Sequence, residues 1–293
     1  MEYFFGLESR YEEEVHAEIS PTLSEPPALE VHTLDVQSRN FIVMNLDNNQ
    51  VLRYLNPDEF TPIASLTKIM TTLLAIEMAD DLDEKVIITE AMLYGFIQAN
   101  ASMAGLRVGE VVTIRDLLFA TFLASGAESS RALAIVFAGN EDAFVNQMNM
   151  RALELGLSST TFRNTTGLDE PGKGSTAREM AILLQYAMNN PIFQEIFEAR
   201  TYTLSNGRLT VESTLHSTAN RLGLDISHLR GGRTGFTYGA GRALASIAYD
   251  EENSISYLLV TIGAPFPIER SYHIRDALII YEYIFSKPYQ AMH

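Results

Sequence analysis

The order of hydrophobic patterns along the chain predicts an α+β fold. A strand hairpin comes first, a block of helical patterns follows, two more strands come next, and an amphipathic helix closes the chain. Strictly alternating strand and helix patterns would have signalled a parallel sheet instead.

Phe41 to Met44 and Val51 to Tyr54 are short apolar runs around a polar turn at 47–50, which predicts a hairpin. From Ser65 to Met78 the residues Leu66, Ile69, Met70, Leu73, Leu74 and Ile76 recur at helical spacing. Further helices are expected over 114–124, 129–138, 141–155 and 176–189. The last of these opens on Thr176-x-x-Glu179, a capping-box pattern. After Tyr202 the period changes to that of strands. Ala243 to Tyr249 and Ile255 to Ile262 flank the polar turn 250–253 and predict a second hairpin, and Ile268 to Phe285 predicts the closing helix. Residues 8–36 are acidic and broken by Pro21, Pro26 and Pro27, so 1–36 is expected to be a flexible tail before a domain at 37–286. Residues 287–293 form a short tail.

Composition excludes several functions. A formal charge of -16 over 293 residues argues against a nucleic-acid partner and against electrostatic docking on anionic membranes. There is no cysteine, so disulfides and thiolate metal sites are ruled out. Histidines 16, 32, 216, 228, 273 and 293 show no ligand spacing, so no metal and no cofactor is expected. His216, in a polar stretch, reads as a surface residue. No apolar run reaches the roughly 18 to 20 residues that span a bilayer, and the N-terminus lacks the pattern of a signal peptide.

Three short segments carry chemistry. In Ala64-Ser65-Leu66-Thr67-Lys68 the serine and lysine are three apart on one helix face, so Lys68 can reach the Ser65 hydroxyl. A serine needs a neighbouring base to become a nucleophile, and a desolvated lysine can be that base. At a helix start the Ser65 N–H can also steady an oxyanion. The second segment, Leu123 to Glu128, places Ser125 at a corner between two helices, where it could face the same cleft or simply make the turn. The third, Gly231 to Thr237, combines Arg233, Thr234 and Gly235 with a following Phe236 and Thr237. Its cation and hydroxyls suit a substrate carboxylate, and the Phe236 N–H suits an oxyanion.

In this order the segments resemble the Ser-x-x-Lys, Ser-x-Asn and Lys-Thr-Gly signature of penicillin-binding proteins and β-lactamases, with one residue changed in each of the last two. The chain resembles the low-molecular-weight D-alanyl-D-alanine carboxypeptidases in particular. Pro62 to Thr71 is similar to that family's nucleophile helix. Asn164 to Pro171, with Ser175 to Met180, is similar to its stretch between the second and third motifs, and Gly231 to Gly241 to its third motif and the next strand.

The resemblance implies a five-stranded antiparallel sheet flanked by helices, with a mainly helical subdomain inserted at about 85–165. It implies that Ser65 attacks the D-Ala-D-Ala bond of peptidoglycan stem peptides, that water then releases the acyl-enzyme, and that β-lactams acylate the same serine. Catalytic roles fall to Ser65, Lys68 and Ser125. Substrate binding falls to Arg233, Thr234, Gly235, Phe236 and Thr237, with Asn220 as a further candidate whose role could equally be structural. Export to the cell envelope is expected from the substrate, with the signal or anchor segment absent from this chain.

Two positions depart from the pattern. Ala127 stands where the second motif has its asparagine, and Arg233 where the third has lysine. The first leaves open a catalytically weakened binding or scaffolding relative. Glu170 is the carboxylate a β-lactamase reading would need, although its surroundings match the carboxypeptidases. Arg233 keeps the charge and is expected to grip a carboxylate with two nitrogens.

Overall fold

The computed structural model describes residues 34–266 and 271–286, so the tails expected at 1–36 and 287–293 lie almost wholly outside the described residues. Five strands form one antiparallel sheet in the order β2-β1-β9-β8-β7. They are β1 (Asn40–Asn45), β2 (Val51–Leu55), β7 (Leu229–Thr237), β8 (Gly241–Asp250) and β9 (Ile255–Ala264). Both expected hairpins are present, each a few residues longer than its apolar run. The third-motif segment, which could have been only a glycine-rich turn, is itself the strand β7.

The central strands are covered on both faces, so they read as continuous apolar runs rather than as an alternation. Side chains still point alternately to the two sides. Phe41, Val43, Leu244, Tyr257 and Leu259 pack against the last helix, α9 (Tyr272–Phe285), through Ile274, Ala277, Ile280 and Ile284. Ile42, Met44, Ala245, Leu258, Val260 and Ile262 join the larger core on the other face. That core contains α1 (Thr67–Met78), α3 (Ile114–Phe122), α4 (Ala127–Ala138), α5 (Glu141–Glu154), α6 (Ala177–Ala187) and α7 (Pro191–Glu198).

The helices expected from periodicity form with nearly the expected bounds. Thr176 caps α6 by accepting from the Glu179 N–H at 3.0 Å. The Glu179 carboxylate, however, accepts from Ser159 N at 2.8 Å and Thr160 Oγ1 at 2.5 Å, so it anchors a loop and does not complete the expected capping box. Several short elements give too few residues for a period to register. They are β3 (Lys85–Ile87), α2 (Glu90–Leu93), β4 (Val111–Thr113), β5 (Thr201–Thr203) and β6 (Thr210–Glu212). In the stretch expected to be strands, α8 (Thr214–Leu222) is a helix. Only Leu215, His216 and Ala219 of it are buried, a stripe too narrow to reveal it by pattern. His216 is therefore buried, at 7% exposure, and not on the surface.

Candidate active site

A cleft of about 630 Å³ opens between the sheet edge at β7 and the helical block. Ser65 enters it from a 3₁₀ turn, Ala64–Leu66, which runs directly into α1. Ala64 holds a left-handed backbone at φ 47°, a strained state for a residue with a side chain, and so fixes where Ser65 stands. Gly167 and Gly235 press against this turn from two sides. A Cβ at Gly167 would lie 1.9 Å from the Ala64 oxygen, and one at Gly235 would lie 3.1 Å from the Ser65 nitrogen. At Gly167 only glycine permits such an approach, whereas at Gly235 a side chain would push the turn back by a few tenths of an ångström.

Lys68 lies one turn along, 2% exposed. Its Nζ donates to the Thr166 carbonyl at 2.6 Å and stands 3.4 Å from Ser65 Oγ. Burial pushes its pKa well below the ordinary lysine value, the charges of Arg233 and Lys173 push it further, and Glu128 and Glu141 oppose them. A lysine held this way gives up its proton readily and can take one from a serine.

Ser125 sits just before α4, also in a left-handed backbone at φ 62°. Its Oγ is 3.1 Å from Ser65 Oγ. The two serines and the lysine, from three segments of sequence, thus meet at one point of the cleft.

Arg233 is placed otherwise than its motif suggests. It is fully buried and does not line the cleft. Nε donates to the Ser65 carbonyl at 3.2 Å, Nη1 to the Phe122 carbonyl at 2.7 Å and Nη2 to Ser125 Oγ at 2.5 Å. Its three nitrogens face protein oxygens, and the side chain ties the Ser65 turn to α3 and to Ser125. The arginine that does line the cleft is Arg242, on β8 opposite Phe236, with its guanidinium 4.9 Å from the centre of that ring. Beside it, His273 is buried, and burial together with the Arg242 charge pushes its pKa down to about 3, so the imidazole is neutral at pH 7.

Thr234, Gly235, Phe236 and Thr237 form the sheet-side wall. Thr234 Oγ1 is 2.7 Å from Thr214 Oγ1 of α8. Thr237 Oγ1 donates to Asp169 at 2.7 Å, and Gly239 N donates to the same carboxylate at 3.0 Å. Asn220 is exposed and outside the cleft. On α8 the positions 214 and 218 share a face, whereas 220 lies about 200° away from 218. The helix's contribution to the cleft is therefore Thr214 and Thr218.

Sequence reasoning missed Arg242, His273, Thr214, Thr218, Asp169 and the loop 99–102. Arg242 could have been suspected as a cation one hairpin turn from Thr237. Asp169 lies in the 164–171 stretch singled out by resemblance, and no local signal pointed to His273, Thr214, Thr218 or the loop.

Ser65 on the strained turn at Ala64, a lysine driven toward neutrality and a second serine bridging to a buried guanidinium are the arrangement that Ser-Lys acyl transfer requires. Comparison with known proteins narrows this. The family model described as D-alanyl-D-alanine carboxypeptidase matches residues 27–265, and the chain belongs to that family. A D-alanyl-D-alanine carboxypeptidase of Bacillus subtilis is 31% identical over 259 residues, covering 83% of this chain and 61% of the relative. Another from Escherichia coli is 32% identical over 243 residues, covering 80% and 58%. The chain thus spans about 60% of the length of these relatives. Among solved structures, a D-alanyl-D-alanine carboxypeptidase of Mycobacterium tuberculosis superposes with a TM-score of 0.77 at 25% identity, covering 91% of this chain and 97% of that one. The Streptomyces K15 DD-transpeptidase gives 0.76 at 26% identity, covering 86% and 98%.

Proposed function

We propose that the chain is a serine-type D-Ala-D-Ala carboxypeptidase, which removes the terminal D-alanine of peptidoglycan stem peptides through an acyl-enzyme on Ser65. The observation that carries this is the meeting of Ser65, Lys68 and Ser125 within hydrogen-bonding distance in one cleft. Ser65 Oγ attacks the carbonyl carbon of the D-Ala-D-Ala bond as its proton passes to Lys68. The N–H groups of Ser65 and Phe236 receive the oxyanion. As the C–N bond breaks, the leaving amine takes a proton through Ser125. Water then hydrolyses the ester and frees Ser65. β-Lactams enter by the same attack.

The terminal carboxylate of the substrate needs a cation. Arg242 lines the cleft beside Thr234 and Thr237, whereas Arg233 is turned into the protein. Arg242, with the two threonine hydroxyls, is therefore the carboxylate anchor. Glu170 is exposed and accepts from Asn164 Nδ2 at 2.7 Å, a contact that holds the 164–170 loop together. Peptidoglycan lies outside the cytoplasmic membrane, so the reading places the protein in the cell envelope. No helix among the described residues is long and apolar enough to cross a membrane.

Incubation with a synthetic peptide ending in D-Ala-D-Ala is expected to release one equivalent of D-alanine per peptide, and Ser65→Ala is expected to release none. Absence of release by the folded wild-type chain would overturn the carboxypeptidase reading.

A further inference from the structure

The second motif lacks its amide because Ala127 occupies the asparagine position, and Glu128 does not replace it. The Glu128 side chain is fully buried, and its Oε1 accepts from the backbone N–H groups of Gly105 at 2.8 Å and Leu106 at 3.2 Å. It therefore points away from the cleft into a loop that runs from Tyr94 to Leu106. Arg131 holds the other end of that loop. Its Nη1 donates to the Tyr94 carbonyl at 2.6 Å, its guanidinium lies 3.8 Å from the centre of the Phe96 ring, and its Nε pairs with Glu141 at 2.9 Å. In between, Ala127 N donates to the Ser102 carbonyl at 2.8 Å. The loop is thus fixed to the first turns of α4, and its tip, 99–102, lines the same cleft as Ser65, Ser125 and Ala127.

Asn100 is at that tip. We infer that Asn100 is the cleft's missing amide: it reaches in from the loop beside α4, donates to the peptide carbonyl on the acyl side of the scissile bond, and so positions the substrate over Ser65. This rests on the peptidase reading of the cleft. The side-chain amide has two N–H donors and a carbonyl acceptor, the functional group that Ala127 cannot supply. Holding the loop from both ends gives it the rigidity a positioning group needs.

Asparagine has another reason to stand there. Asn100 has φ 51°, a left-handed backbone that asparagine tolerates better than most residues. The test has to separate the turn from the amide, and Asn100→Gly does so, because glycine keeps the backbone and deletes the side chain. The readout is the second-order rate of acylation by benzylpenicillin, with thermal stability measured alongside. Loss of one substrate hydrogen bond is expected to slow acylation roughly ten- to a hundredfold at unchanged stability. Adding Ala127→Asn, which restores the amide from α4, is expected to recover the rate. Asn100→Gly acylating within about twofold of wild type would mean that the residue only makes the turn. A slow variant that Ala127→Asn does not recover would equally overturn the assignment. No acylation of the wild type would instead sink the peptidase reading, so the two failures can be told apart.

Discussion

Replacing Lys68 by methionine is expected to lower the rate of Ser65 acylation by about 10² to 10⁴-fold, the range ascribed to a general base. Methionine has similar length and suits a buried site, so the fold should survive and its melting temperature should stay near or above that of the wild type. The wild-type rate should also report the lysine's protonation. Only neutral Lys68 can take the serine proton, so acylation should rise with pH and level off once the lysine has lost its proton. Because burial and the neighbouring Arg233 and Lys173 charges depress its pKa, the inflection should fall well below the ordinary lysine value. Stopped-flow acylation across a pH series checks this. An inflection near that of a solvated lysine would show that the surroundings do not depress Lys68, and a rate that does not rise with pH would show that Lys68 is not the base.

The second large effect is expected at Arg233, and in stability rather than in binding. Arg233→Ala removes the donor to Ser65 O, Phe122 O and Ser125 Oγ together, and leaves a cavity where one of the largest buried side chains stood. Relief from burying a charge offsets part of the loss. The orphaned acceptors and the void still leave a cost of about 3 to 5 kcal/mol. For a domain of this size, that corresponds to a fall of roughly 10 °C in melting temperature. Arg233→Lys keeps the charge but has one nitrogen for three acceptors, so it should lose stability by a smaller amount. If Arg233 gripped the substrate carboxylate instead, the lysine variant would raise KM and leave the melting temperature unchanged. Calorimetry and steady-state kinetics on the same two variants decide between these.

Arg233 also shows where the sequence stopped being informative. Ser65 and Lys68 could be paired from sequence because a single helix turn brings them together. The direction of Arg233 could not be read, because the glycines at 231, 232 and 235 leave β7 without a hydrophobic pattern from which to infer a face. Its role depends on carbonyls and a hydroxyl from α3, the nucleophile turn and the corner before α4, contacts more than a hundred residues away. The sheet and main helices were legible because long apolar runs and helical periods survive in them. α8 was not, since its buried stripe is three residues wide. That error carried over to Asn220, placed in the right segment but on the wrong side of an unrecognised helix, while Thr214 and Thr218 on its other face line the cleft. The loop at 99–102 carries no period at all. The departure at Ala127 announced that an amide was missing without indicating where another might come from.

The most direct measurement is intact mass after incubation with a penicillin, comparing the wild-type chain with Ser65→Ala. The wild type should gain the mass of one penicillin, and the Ser65→Ala chain, folded to the same degree, should gain none. A wild-type chain that remains unmodified, or a Ser65→Ala chain that acquires the same adduct, would contradict the assignment of Ser65 as the acylated nucleophile.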